Sequence, residues 1–146
     1  VMNLDSLYQE IILDHYRSPS GQGLQSDFTG EAFHVNTSCG DEVTVRVRVA
    51  AGAIEQMSHD GVGCSISRAS ASVLHQLTTG KSVAAFKHLL DEFVELMHSQ
   101  GRVEPNEDVL GDAAAFAGVS KYPARVKCAL LPWMAMKDAI EGENNE

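Results

Sequence analysis

The sequence predicts an α+β fold: a three-stranded antiparallel sheet with helices packed on one face. Two observations carry this. The hydrophobic period changes from helical to alternating and back only once along the chain, and the alternating segments are consecutive, separated by short glycine turns. A third is size. With 146 residues the chain is long enough to bury most of its apolar surface without disulfide staples. Residues 1–146 are read as a single domain closed by a polar tail, Glu141 to Glu146, expected to fray.

The elements follow in order. Leu4, Leu7, Tyr8, Ile11, Ile12 and His15 recur at helical spacing, so residues 4–17 predict an amphipathic helix. Pro19, Gly21 and Gly23 end it and open a loop. Phe33, Val35, Thr37 and Cys39 then alternate with His34, Asn36 and Ser38, which puts Cys39 at the end of a first strand on its apolar side. Gly40-Asp41 predicts a tight turn. Val43, Val45, Val47 and Val49 alternate with Glu42, Thr44, Arg46 and Arg48, the clearest half-buried strand in the chain. Ala51-Gly52 turns again, and Ile54 to Val62 reads as a third strand.

Helices occupy the rest. Ile66, Ala69, Val73 and Leu77 make one stripe, with Gly80 just past its end. Ser82 is placed to cap the next helix, whose stripe is Phe86, Leu89, Leu90, Phe93, Val94 and Met97. Val109 to Ala117 reads as a short Ala-rich helix, and residues 124–140 as the last. Pro132 is the misfit. It removes its own donor and crowds the carbonyl of Cys128, so the last helix either begins near Cys128 or kinks there.

Composition excludes several classes. Lys plus Arg total 11 against 20 Asp plus Glu, a net charge of −9, which repels phosphate backbones and argues against nucleic-acid binding. No apolar run is long enough to cross a membrane. The N-terminal region lacks a secretory pattern, and three widely spaced cysteines make a poor disulfide framework, which together predict a reducing, cytoplasmic setting. Gly61-Val62-Gly63 lacks the Lys-Ser/Thr of a phosphate loop. The serines after Cys64 read as small packing residues, and the six scattered histidines show no metal-binding pair.

Cys39, Cys64 and Cys128 are therefore core fillers, nucleophiles or metal ligands. Cys39 precedes a turn, Cys64 follows two glycines and opens a helix, and Cys128 lies at or near another helix start. A thiol at a helix N-terminus is biased toward thiolate, the form that binds metal or attacks sulfur. Three thiolates with Asp41 suit a tetrahedral Zn²⁺ site. Such a site carries excess negative charge, which Arg125 or Lys127 could offset. Asp41, a harder ligand than sulfur, would make it exchange more readily than a four-Cys site.

Four segments, in order, resemble the U-type iron–sulfur assembly proteins, the NifU N-terminal or IscU-like family. They are Asp14-His15-Tyr16-Arg17-Ser18-Pro19, Asn36-Thr37-Ser38-Cys39-Gly40-Asp41, the run from Gly61 to Ser72, and Arg125-Val126-Lys127-Cys128-Ala129-Leu130. The resemblance spans about Leu4 to Ile140. It is nearest to the SufU branch, because Lys127 stands where scaffold-type members carry His, and because the stretch from Arg102 to Asp112, continuing through Phe116 to Val119, looks like that branch's insertion. Leu131-Pro132-Trp133 departs from the expected unbroken helix.

The resemblance implies one zinc held by Cys39, Asp41, Cys64 and Cys128. It also implies a SufS-type, pyridoxal-phosphate cysteine desulfurase as partner, with Cys39 accepting persulfide sulfur for the Suf cluster-assembly machinery. In the family, a desulfurase histidine replaces that cysteine on the zinc and frees its thiolate. Arg125 is then expected to pair Asp41 or steady the released thiolate. The alternative is a scaffold on which a [2Fe–2S] cluster is assembled by the same four residues. A third reading, a zinc-stabilised binding module, needs no chemistry at Cys39.

Overall fold

The structure, a computed structural model, describes residues 4–38 and 40–144. Helix α1 (Leu4–Arg17) leads through a long loop into strands β1 (Gly30–Asn36), β2 (Asp41–Ala50) and β3 (Ala53–Val62). Helices α2 (Ser65–Thr78), α3 (Val83–Met97) and α4 (Glu107–Leu110) follow, then a 3₁₀ segment (Gly111–Lys121) and α5 (Pro123–Asn144). The sheet is antiparallel throughout, ordered β1-β2-β3. The α+β meander read from the sequence is what the structure contains.

Strand β2 sets the polarity of the sheet. Val43, Val45 and Val47 are buried, and their β1 partners in register are His34, Ala32 and Gly30. Paired residues share a face, so the even-numbered side of β1 turns inward, onto α5. This corrects the parity expected for β1: Phe33 is 58% and Val35 43% exposed, and the apolar residues lie on the outer face. The last strand begins one residue before the reading, at Ala53, and ends with it at Val62, and its hairpin with β2 closes on Ala51 and Gly52, both at positive φ.

Trp133 of α5 centres the core, stacked on Phe93 at 4.2 Å between ring centroids, with Phe116 meeting Phe93 edge-on at 6.0 Å. Of the two alternatives, a helix start near Cys128 is ruled out: α5 begins at Pro123 and continues through Pro132. Part of the reason is lateral support. Ser70 Oγ donates to the Ala129 carbonyl at 2.6 Å and accepts from Trp133 Nε1 at 2.9 Å, so α2 supplies polar contacts to the turn that Pro132 weakens. The same helix runs on to Asn144, so most of the segment expected to fray is helical.

The Ala-rich stretch is also corrected. Only Glu107–Leu110 is α-helical; Gly111 takes φ +53°, which breaks the α-helix, and 3₁₀ geometry follows. Ser82 caps α3 as expected, accepting from Ala85 N–H at 3.0 Å. Among the described residues, no helix is long and apolar enough to cross a membrane.

The loop after α1 is clasped by histidines. His15 Nε2 donates to Asp112 at 2.9 Å, while Nδ1 shares a hydrogen bond with Ser72 Oγ at 2.7 Å. Ser20 N–H donates to Ser72 Oγ, Ser20 Oγ bonds His75 Nδ1, and His59 Nε2 donates to the Ser20 carbonyl, each at 2.7 Å. Burial pushes both His59 and His75 below the usual imidazole range.

Candidate metal centre

Asp41 opens β2 and is buried; Cys64 stands immediately before α2, half-buried; Cys128 is buried in the second turn of α5. One carboxylate oxygen and the two sulfurs all lie within 4.8 Å of one another. Three segments distant in sequence therefore meet at one end of the sheet. Cys39, the remaining predicted ligand, lies outside the described residues.

The local sequence explains the convergence. At Gly61 a Cβ would stand 2.0 Å from the Glu42 carbonyl oxygen, and at Gly63 one would stand 2.6 Å from Asp41 Oδ1 and 2.7 Å from Ser67 Oγ. Both glycines are packing requirements, which gives Gly61-Val62-Gly63 its physical reason in place of phosphate binding. Their missing side chains let β3 and the start of α2 press against Asp41. Cys64 N–H then donates to Asp41 Oδ1 at 2.9 Å, and its thiol sits 3.6 Å from Oδ2. One carboxylate oxygen is thus held by backbone while the other faces sulfur.

The helix-dipole expectation divides. Cys64 occupies the N-cap position of α2, as the sequence places it. Cys128 lies beyond the first turn of α5, where the dipole effect has faded; its thiol donates to the Ala124 carbonyl at 3.6 Å. Asn36 Nδ2 donates to Cys128 Sγ at 3.9 Å, and Asn36 Oδ1 accepts from Ser38 N–H at 3.2 Å. Asn36 escaped the sequence reading because its inward orientation becomes visible only once the β1–β2 register is known.

Arg125 and Lys127 are exposed on α5, and neither side chain makes an ion pair among the described residues. Arg46 and Arg48 are engaged within the chain by Glu31, Asp27 and Glu55. Ser67, Ser70 and Ser72 are buried and hydrogen-bonded, in keeping with packing roles.

The donor chemistry fits a zinc-sized ion. A tetrahedral site with metal–sulfur bonds of about 2.3 Å places its sulfurs about 3.8 Å apart, so the three groups need to close by about 1 Å at most. Two sulfurs and a carboxylate in a largely buried setting leave one position for a fourth ligand. The same donor set also suits iron in a sulfide cluster.

A family model described as the NifU-like N-terminal domain matches residues 7–129. The chain is 37% identical over 141 residues to the zinc-dependent sulfurtransferase SufU of Bacillus subtilis, covering 97% of this chain and 94% of that protein. It is equally 37% identical over 142 residues to the iron–sulfur cluster assembly scaffold protein IscU of Streptococcus pyogenes, covering 97% and 87%. A solved structure from Fervidobacterium islandicum, described as a candidate cluster assembly scaffold of the SUF system, superposes with TM-score 0.75 at 31% identity over 94% of this chain and 99% of that one. The N-terminal part of a NifU-like protein from Brucella abortus shares the fold, with TM-score 0.88 at 22% identity over 98% of both chains. With a sheet-end cluster of Asp41, Cys64 and Cys128 and a family match across most of its length, the chain belongs to the family of NifU-like N-terminal domains.

Proposed function

We propose that this chain holds one zinc ion and acts as a sulfurtransferase, taking sulfur from a SufS-type cysteine desulfurase for iron–sulfur cluster assembly. The observation that carries the reading is the gathering of Asp41, Cys64 and Cys128 within 4.8 Å, with Cys39 two positions before that carboxylate in sequence. Asp41, Cys64 and Cys128 would hold the ion with Cys39 as fourth ligand. Bound zinc keeps its cysteine ligands deprotonated at neutral pH.

The transfer itself falls to Cys39. Its thiolate attacks the outer sulfur of the partner's persulfide; a sulfur–sulfur bond forms at Cys39 as the partner's own one breaks. The partner's cysteine leaves as thiolate, and the transferred sulfur keeps its own proton or charge. No oxidant is consumed. Asp41 is held by the Cys64 amide, so the remaining ligands stay gathered while Cys39 departs. Arg125, on the exposed first turn of α5 three residues before Cys128, is assigned the task of steadying the freed thiolate. The chain's net charge of −9 suits docking beside a basic patch on the desulfurase.

A second reading, a scaffold for a [2Fe–2S] cluster, draws support from the scaffold-named Streptococcus relative at the same identity. Lys127, where scaffold-type members carry His, favours transfer. Elemental analysis of the purified chain, joined to desulfurase turnover with and without it, separates the two. Transfer predicts about one colourless zinc per chain and a stimulated desulfurase, with Cys39→Ser abolishing the stimulation. A brown, iron-containing protein without stimulation would establish the scaffold instead. Arg125→Ala is expected to slow sulfur transfer by about tenfold, the scale of one charge-assisted contact, with metal content intact; an unchanged transfer rate removes that role.

A further inference from the structure

Asn36 is the last residue of β1, 9% exposed and directly opposite Asp41 in the β1–β2 register. It makes three polar contacts at this end of the sheet. Its carbonyl accepts from Gly40 N–H at 2.9 Å. Its side-chain Oδ1 accepts from Ser38 N–H at 3.2 Å, and its Nδ2 donates to Cys128 Sγ at 3.9 Å. The first two bonds reach the residues on either side of position 39; the third reaches a sulfur contributed by α5.

We propose that Asn36 is a positioning residue that ties the Cys128 sulfur to the loop bearing Cys39, so that one amide both tunes a ligand sulfur and restrains the departure of the sulfur acceptor. The inference rests on the metal centre proposed above. The two halves of the amide have separate work. The oxygen closes an Asx-type turn, which favours one loop conformation over the open ones. The N–H₂ group gives a sulfur ligand a donor and withdraws electron density from it, as neighbours of a metal's ligands commonly do. A buried primary amide satisfies both at once because it carries donor and acceptor on one planar group. Asp in its place would keep the acceptor and lose the donor; Ala would lose both.

The test uses the full chain loaded with Co²⁺ in place of zinc, which makes sulfur–metal charge transfer visible, together with zinc-loaded protein for alkylation. In Asn36→Ala the charge-transfer band moves to longer wavelength, because a sulfur relieved of a donor gives up its electron more readily. Iodoacetamide labels Cys39 about fivefold faster, the change expected from loss of one ordinary hydrogen bond, with Cys64 and Cys128 labelled as in wild type. In Asn36→Asp the band moves but Cys39 labelling stays within about twofold. An unmoved band in both variants overturns the proposal, as does unchanged Cys39 labelling in Asn36→Ala. Should Asn36→Ala fail to fold, the band of Asn36→Asp decides alone. A wild-type chain that takes up no cobalt removes the metal centre and this inference together, whereas cobalt uptake with unshifted variants removes the inference only.

Discussion

One glycine and one alanine show how unequal small residues can be. Gly61 lies where a Cβ would overlap the Glu42 carbonyl at 2.0 Å, and backbone cannot swing aside as a side chain can. Gly61→Ala is therefore expected to cost about 1–3 kcal/mol of stability, the range for overpacking a tight site, read from the denaturant midpoint. A loss under about 0.5 kcal/mol would show that β2 and β3 can separate freely here. Ala51, by contrast, sits at φ +52° in an open hairpin turn, a strained place for a residue with a Cβ. The sequence reading puts Ala51 in a turn and Gly61 inside the third strand, without separating their steric demands. Only the register, which sets Gly61 opposite Val43, distinguishes a steric requirement from a conformational convenience. The site residues were more legible. Asp41 and Cys64 are flagged by a glycine turn and a helix start, and Cys128 by its sequence context. Asn36 lies in a matching segment too, but nothing local shows its side chain turned toward Cys128.

At the scale of elements, β2 is readable because its valines alternate without exception, whereas β1 misleads. Its larger apolar side chains, Phe33 and Val35, face out because pairing with β2 dictates parity and α5 covers the other side. Local hydrophobicity cannot outweigh a ladder of hydrogen bonds shared with a strongly polarised neighbour. The 3₁₀ segment was hidden for a different reason, since helix spacing alone does not separate three residues per turn from 3.6 over a short Ala-rich run.

The clasp over the loop after α1 yields a pH dependence. His59 and His75 are held by burial below the usual imidazole range. Above about pH 6.5 both folded and unfolded forms are neutral there, and proton linkage is silent. Below it the unfolded chain takes up protons that the folded imidazoles refuse, so stability falls with falling pH until the lowered native values are passed. The melting temperature at high salt is expected to drop from pH 7.5 to pH 5.5, and His59→Gln to flatten that slope. A flat wild-type profile would contradict it.

On the scale of the whole molecule, the excess of 20 acidic over 11 basic residues acts in the opposite sense. Acidification toward the isoelectric point near 5.0 relieves self-repulsion and so favours the compact state. High salt screens that diffuse term while leaving the buried histidines largely untouched, which is why the profile is read there. Arg125 and Lys127, exposed and close in sequence to Cys128, make no ion pair among the described residues.

His15 has a wider consequence. Here one imidazole is bonded at once to α2 and, through Asp112, to the segment that precedes α5. Detaching α1 therefore means letting go of residues 57 and 97 positions further on, so α1 shares the fate of α2 and the 3₁₀ segment when the molecule melts.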